Sequence, residues 1–263
     1  MSDQRGRMMD GDTLAEWSIG IIRQHAPHPS DGPYWLAYSG GKDSDVLLDL
    51  AKRSGVPFQA HYNFVPIDPP ELRQHIREMM KDPANWLSMN MPVKSLRRAI
   101  IGTKAKPVMP LRNRRLCCEV LKERNAPNAT MLVGVRWEES QRRSKRHTIE
   151  TCRRAGGVFV HPIINWKTAD IWRYIRERNL PYCRLYDEGW KRIGCVLCPM
   201  TRDIERQIAR WPGIARVWRK LSDEVHKICG DFPSADAAWA WWLDRDAKWN
   251  PDESCPLFDG VLE

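Results

Sequence analysis

Much of what this 263-residue chain is can be read first from what it lacks. It has no run of eighteen apolar residues, so no stretch is long enough to cross a bilayer as a helix, and its opening Met1-Ser-Asp-Gln-Arg-Gly-Arg7 has no hydrophobic signal core. A soluble, cytoplasmic protein without a membrane partner is expected. Low-complexity tracts are missing as well, and with 42% apolar residues the chain can bury a proper core. Eight cysteines in a cytosolic setting argue against structural disulfides and toward metal or redox chemistry. Acidic residues are the scarcer charge: 33 Asp plus Glu against 42 Lys plus Arg leave a net +9. Arginines gather at 112–115, 142–146 and 153–154, where they suit the phosphates of a nucleotide or a nucleic-acid backbone. The overall charge by itself reads as a solvated basic surface. Of thirteen tryptophans, six (Trp211, Trp218, Trp239, Trp241, Trp242 and Trp249) fall in helix-like stretches and read as core packing rather than base-stacking platforms.

Periodicity predicts alternating helices and strands. A helix over 12–24 carries Leu14, Trp17, Ile21 and Ile22 on one side, and strands are expected at 34–38, 56–62, 129–135 and 157–164. Helices are expected after Ser44, from Pro69-Pro70, from Cys117 and from Asp170 through Arg178, while 82–110 show no dominant period. Such alternation implies an α/β fold: a mostly parallel twisted sheet with helices on both faces. From Asn179 the composition changes, and 201–249 read as three helices rich in Arg, Trp and Ala. The expected organisation is a nucleotide-binding domain over 1–200 and a helical extension over 201–263 packed on it.

The chemistry centres on Ser39-Gly40-Gly41-Lys42-Asp43-Ser44. Here a buried strand meets two glycines and then a helix N-terminus, so unpaired backbone N–H groups and the helix dipole converge on one point, where an anion is the expected occupant. Glycine lets the backbone approach a phosphate, Lys42 adds a cation, and the two serines add hydroxyls. A Walker loop would need glycine at Leu36 and Ser or Thr at Asp43, so it is excluded. The loop is instead similar to the SGGKDS loop of the ATP pyrophosphatases, which grip the β- and γ-phosphates and cut at the α-phosphate. Asn63 and Asp68, at the carboxyl end of the second strand, are candidates to face the nucleotide, although each reads equally as a polar turn former.

Cys195 and Cys198 have the spacing with which two thiolates grip one metal centre, and turn residues Gly194 and Pro199 flank them. The adjacent pair Cys117 and Cys118 suits a cubane better than a single small ion, so the four thiols together would make a [4Fe–4S] site. A four-thiolate zinc site and buried unligated thiols are the competing readings. Cys152, Cys183, Cys229 and Cys255 lack such spacing.

Several segments jointly resemble the PAPS reductase-like proteins of the adenine nucleotide α-hydrolase superfamily, over roughly 34–200. They are the loop, His61-Tyr-Asn63 with Asp68-Pro-Pro-Glu-Leu72, Cys117-Cys118, Gly134-Val-Arg136 through Arg142-Arg143, Pro162 to Trp166 with Asp170-Ile-Trp172, and Gly194-Cys-Val-Leu-Cys198-Pro. The cysteine pair followed by the later CxxC is similar to the cluster pattern of assimilatory APS reductases. Two departures stand out. Sulfonucleotide reductases usually have a degenerate phosphate loop, whereas this one is intact. Their catalytic cysteine lies in a Glu-Cys-Gly-Leu-His-like tail, whereas this tail offers Glu253-Ser-Cys255-Pro-Leu257.

The resemblance is thus nearest to ATP-using, iron–sulfur relatives of phage and mobile elements or of DNA phosphorothioation. It implies ATP-dependent sulfur transfer forming AMP and pyrophosphate. Lys42, Asp43 and Arg136 would act at the reacting phosphate, with Mg2+ placed by Asp43. Ser39, Gly40, Gly41, Ser44, Gly134, Arg142 and Arg143 would bind the nucleotide. A DNA or tRNA acceptor and a cysteine desulfurase as sulfur donor are the implied partners. The alternative is a thiol-dependent APS or PAPS reductase that releases sulfite with thioredoxin as partner. A third reading is a nucleic-acid-binding protein with a structural cluster.

Overall fold

The computed structural model describes residues 11–102, 107–123, 128–151 and 157–244. Helix α1 (Gly11–Gln24) precedes strand β1 (Tyr34–Ala37), and after the glycine turn come α2 (Lys42–Ser54), β2 (Phe58–Asn63), α3 (Pro70–Lys81) and β3 (Leu87–Asn90). Two short helices, α4 (Leu96–Ile101) and α5 (Leu116–Leu121), lead to β4 (Thr130–Leu132), β5 (Ile149–Thr151), β6 (Val158–Val160) and α6 (Thr168–Glu177). The chain then forms α7 (Ile204–Arg210), α8 (Pro212–Cys229) and α9 (Ala235–Leu243). Among the described residues no helix is long and apolar enough to cross a membrane.

The six strands form one sheet in the order β3-β2-β1-β4-β6-β5. Every pairing is parallel except β5 with β6. The fold is therefore the α/β class that the alternation predicts. Two strands, β3 and β5, escaped the sequence reading. Leu87-Ser-Met-Asn90 is half-buried throughout and shows no inside–outside alternation, and Ile149-Glu-Thr151 is a three-residue edge strand. The sheet grows in both directions from β1 and β4. That reversal makes a switch point, and in open α/β sheets ligands bind outside the carboxyl ends of the strands there. The loops 38–41 and 133–136 leave those two ends.

The chain divides into two compact units. One comprises 1–63, 70–90 and 125–193 and holds the sheet with α1, α2, α3 and α6. Its core sets α1, α2 and α6 against one another over Tyr34 and Leu36, both fully buried. Two buried side chains are tied together here: Trp166 Nε1 donates to Ser18 Oγ at 3.0 Å, and Ser18 Oγ donates to the Pro162 carbonyl at 2.7 Å. Gly157 has backbone for a neighbour: a Cβ there would run into the Ala129 carbonyl.

The other unit comprises 64–69, 91–124 and 194–263. The sequence reading put the boundary at 200, but α4, from the aperiodic stretch 82–110, and α5, the short helix expected from Cys117, belong to the same unit as α7, α8 and α9. Trp218 and Trp242 lie in its core with ring centroids 5.0 Å apart. Their indole N–H groups donate to the Val196 and Pro110 carbonyls, each at 2.9 Å. Burying two such rings contributes about 4–6 kcal/mol each before the cost of ordering them. Trp249, Cys152, Cys255 and Arg153–Arg154 lie outside the described residues.

Candidate functional site

Ser39–Ser44 forms the turn from β1 into α2. Gly40 has φ +72°, and a side chain there would meet Ile76 Cγ1 and Leu72 Cδ1 at 2.8 Å, so both backbone and space require glycine. Gly41 caps α2 with extended backbone. The buried Ser44 hydroxyl stitches the turn together, donating to the Gly41 carbonyl at 2.8 Å and accepting the Ser39 N–H at 3.3 Å. Ser44 thereby shapes the loop, while Ser39 at the exposed edge donates to Ser44 Oγ at 3.2 Å.

Behind the turn three charged side chains form a row. Lys42 Nζ lies 2.8 Å from Asp43 Oδ2, and Arg136 Nε lies 2.6 Å from Asp43 Oδ1. Lys42 is 6% exposed and Arg136 3%, so the attraction is far less screened than at a surface. Arg136 also donates to Glu138 at 3.0 Å, to the Trp166 carbonyl at 3.2 Å and to Thr168 Oγ1 at 3.4 Å. With four of its five N–H groups so engaged, Arg136 braces Asp43 as well as lending positive charge. Glu138 in turn accepts from the Thr168 N–H and hydroxyl, which with Arg136 hold its carboxyl below the usual range. Gly134, just past β4, brings the chain into ordinary contact with the Asp43 backbone: a Cβ on it would lie 3.5 Å from the Asp43 carbonyl oxygen.

Two features of this region have no signature in the sequence. Asp45, in the first turn of α2, accepts the Tyr38 hydroxyl at 2.5 Å and lies 3.1 and 3.2 Å from His75 Nε2 of α3. All three side chains are buried. Burial, followed by the Asp45 charge and hydrogen bond, pushes the Tyr38 phenol well up. This triad ties the first turn of α2 to the chain just past the end of β1 and to α3. In the sequence His75 is simply one polar residue between Leu72 and Ile76. The second feature is Tyr186, whose hydroxyl accepts the Lys42 N–H at 3.1 Å from 144 residues away.

The remaining candidates are spread more widely. Asn63 Oδ1 accepts from Asn90 Nδ2 at 3.1 Å across the β2–β3 ladder. Asp68 is buried in the second unit, where Lys122 Nζ lies 3.7 Å away. Arg142 is exposed at the start of a 3-10 turn, and Arg143 pairs with Glu139 one turn back. Cys117, Cys118, Cys195 and Cys198 all belong to the second unit and are free thiols. Arg115 Nη1 lies 3.9 Å from Cys118 Sγ. The adjacent Cys117 thiol, with Arg115 and Lys122 nearby, draws the Cys118 thiol down, while Cys118 and burial push Cys117 up. Four thiols in one unit are a donor set of the chemical type that holds an iron–sulfur cluster. Among the described residues, however, no three His, Cys, Asp or Glu side chains are disposed around a common metal position.

Comparison with known proteins bears on residues 33–201, which match the profile of the phosphoadenosine phosphosulfate reductase domain. An adenosine 5'-phosphosulfate reductase of Oceanobacillus iheyensis is 28% identical over 187 residues, covering 67% of this chain and 76% of that protein. A phosphoadenosine 5'-phosphosulfate reductase of Gloeobacter violaceus is 30% identical over 193 residues, covering 69% and 78%. Among solved structures, a phosphoadenylyl-sulfate (PAPS) reductase from Candida auris in a phosphate complex superposes with a TM-score of 0.50 at 20% identity, over 72% of this chain and 97% of that one. That last likeness is one of fold.

Proposed function

The chain belongs to the phosphoadenosine phosphosulfate reductase domain family, and from that premise we propose that it acts on an adenylyl anhydride, releasing sulfite from APS or PAPS at the expense of a dithiol. The observation that carries this reading is the match to proteins named as APS and PAPS reductases over two-thirds of the chain. The anion site supports it: amides at the α2 N-terminus, with Lys42 beside them, suit the acidic end of the nucleotide. In this chemistry a thiolate attacks the sulfur, and AMP (from PAPS, its 3'-phosphorylated form) leaves with the electrons of the S–O bond. A second thiolate then displaces sulfite from the resulting S-sulfonated thiol, leaving a disulfide. A thioredoxin-like dithiol is the proposed partner. The row Lys42–Asp43–Arg136 would hold positive charge beside the α-phosphate as the nucleotide leaves.

One specific observation favours a second reading, ATP-dependent sulfur transfer. The loop keeps Lys42 and Asp43 together, and Lys42 and Arg136 flank Asp43 with two cations suited to a longer polyphosphate; Mg2+ would take an Asp43 oxygen in place of one of them. Under that reading AMP and pyrophosphate are the products, a DNA or tRNA is the acceptor, and a cysteine desulfurase supplies sulfur. Under either reading Cys117, Cys118, Cys195 and Cys198 would hold the proposed [4Fe–4S] cluster, which would supply redox or sulfur-binding capacity.

Product analysis separates the readings. The protein is incubated anaerobically with APS or PAPS plus a dithiol, and separately with ATP and Mg2+. Sulfite with the matching adenosine phosphate supports the reductase. AMP and pyrophosphate from ATP without sulfite would replace it by the second reading, and ADP with phosphate would remove the second.

A further inference from the structure

The phosphate loop is short of free donors. Lys42's ammonium spends one of its three N–H groups on Asp43 and the Ser44 hydroxyl is given to the Gly41 carbonyl, so much of what the loop offers an anion is backbone N–H. One of those groups, the Lys42 N–H, already has a partner, the Tyr186 hydroxyl at 3.1 Å. The same oxygen lies 3.5 Å from where a Cβ on Gly41 would stand, so it sits over the first turn of α2. The Tyr186 ring also lies beside Lys42, whose Nζ is 5.7 Å from its centroid. We propose that Tyr186 is a ligand-contacting residue of the phosphate loop, its hydroxyl accepting from the Lys42 amide and donating to the terminal phosphate or sulfate oxygen of the bound nucleotide. The inference rests on the reading that Ser39–Ser44 holds the acidic end of that nucleotide.

Three observations support this role. First, a phenol can accept and donate at once, and among the described residues no acceptor takes the hydrogen of this one. An anion seated on the loop's amides would supply that acceptor, adding a hydrogen bond to a charged group where Lys42 already spends one N–H on Asp43. Second, the side chain is held in place. Tyr186 ends the 3-10 turn Arg184–Tyr186, which is anchored by the buried Cys183 before it and the buried Leu185 within it. Its ring meets the Trp172 edge at 5.1 Å and 83°, and Tyr182 flanks it at 6.4 Å. Little freedom is left to lose when a ligand arrives, which favours a binding role. Third, burial pushes the phenol well above its ordinary pKa, so it keeps its proton at any working pH.

The test is binding of inorganic pyrophosphate and of APS to the full-length chain by calorimetry, comparing wild type with Y186F and Y186H. Phenylalanine keeps the ring against Trp172 and Lys42 and removes only the hydroxyl. The expected result is about a tenfold or greater rise in Kd for Y186F with the melting temperature of the free protein little changed, and partial recovery in Y186H, which restores a donor. An unchanged Kd in Y186F would reduce Tyr186 to a structural cap, and a tighter one would make it a plug that the ligand displaces. Either result overturns the proposal while leaving the loop reading intact. Failure of the wild type to bind either ligand would overturn the loop reading and this proposal together.

Discussion

At the scale of single residues, the decisive contact is the pairing of Asp43 with Arg136. The guanidinium is buried and spends one N–H on Asp43 and three more on Glu138, Trp166 and Thr168, so it fixes the carboxylate in place. R136Q should leave Asp43 with Lys42 alone, drawing the ammonium away from any ligand. The expected effect is a fall of about 100-fold in kcat/KM, the scale on which small misplacements of catalytic groups act. R136K keeps the charge but not the planar fork and should fall between the two. Steady-state kinetics on whichever nucleotide the protein turns over checks this, and an R136Q enzyme of wild-type activity would remove the brace from the account.

At the scale of elements, the α2 N-terminus depends on ties from outside the helix. Asp45 receives Tyr38 from just past the end of β1 and faces His75 from α3, so three segments meet at one buried carboxylate. D45A would leave the buried Tyr38 hydroxyl and His75 Nε2 with only each other, 3.4 Å apart, and a loss of about 1–3 kcal/mol in urea unfolding is expected. Y38F removes one hydrogen bond and should cost about 0.5–1.5 kcal/mol. These ties also mark where sequence reading stops. The loop Ser39–Ser44 was legible because its six consecutive residues perform one task at one strand–helix junction. Arg136 was legible because it follows a recognisable strand. Tyr186 and His75 were not, because they reach the loop from 144 and 30 residues away and each looks ordinary in its own segment. Likewise β3 and β5 carry no alternation, since one is half-buried throughout and the other is a short edge.

At the scale of the whole molecule, the cysteine constellation and the nucleotide loop fall in different compact units. The four thiols belong to the second unit, which takes 91–124 from the middle of the sequence and 194–263 from its end. A boundary drawn at 200 missed this because the aperiodic stretch before Cys117 gives no sign of joining the C-terminal helices. A cluster on Cys117, Cys118, Cys195 and Cys198 would clasp those two stretches of chain. The protein purified without oxygen should then be brown and hold about four irons per chain, with most of the iron lost in C195S or C118S. A colourless protein with one zinc would assign the thiols to the four-thiolate zinc alternative.

The central claim is that the loop at the β1–α2 junction presents a sulfonucleotide for reduction. It is tested most directly by following labelled sulfite from APS and from PAPS, with a dithiol supplied anaerobically, in wild type and K42A. The account predicts sulfite and the matching adenosine phosphate in equal amounts from at least one sulfonucleotide, and a loss of about 100-fold or more in K42A. No sulfite from either nucleotide, or sulfite release indifferent to Lys42, would contradict it.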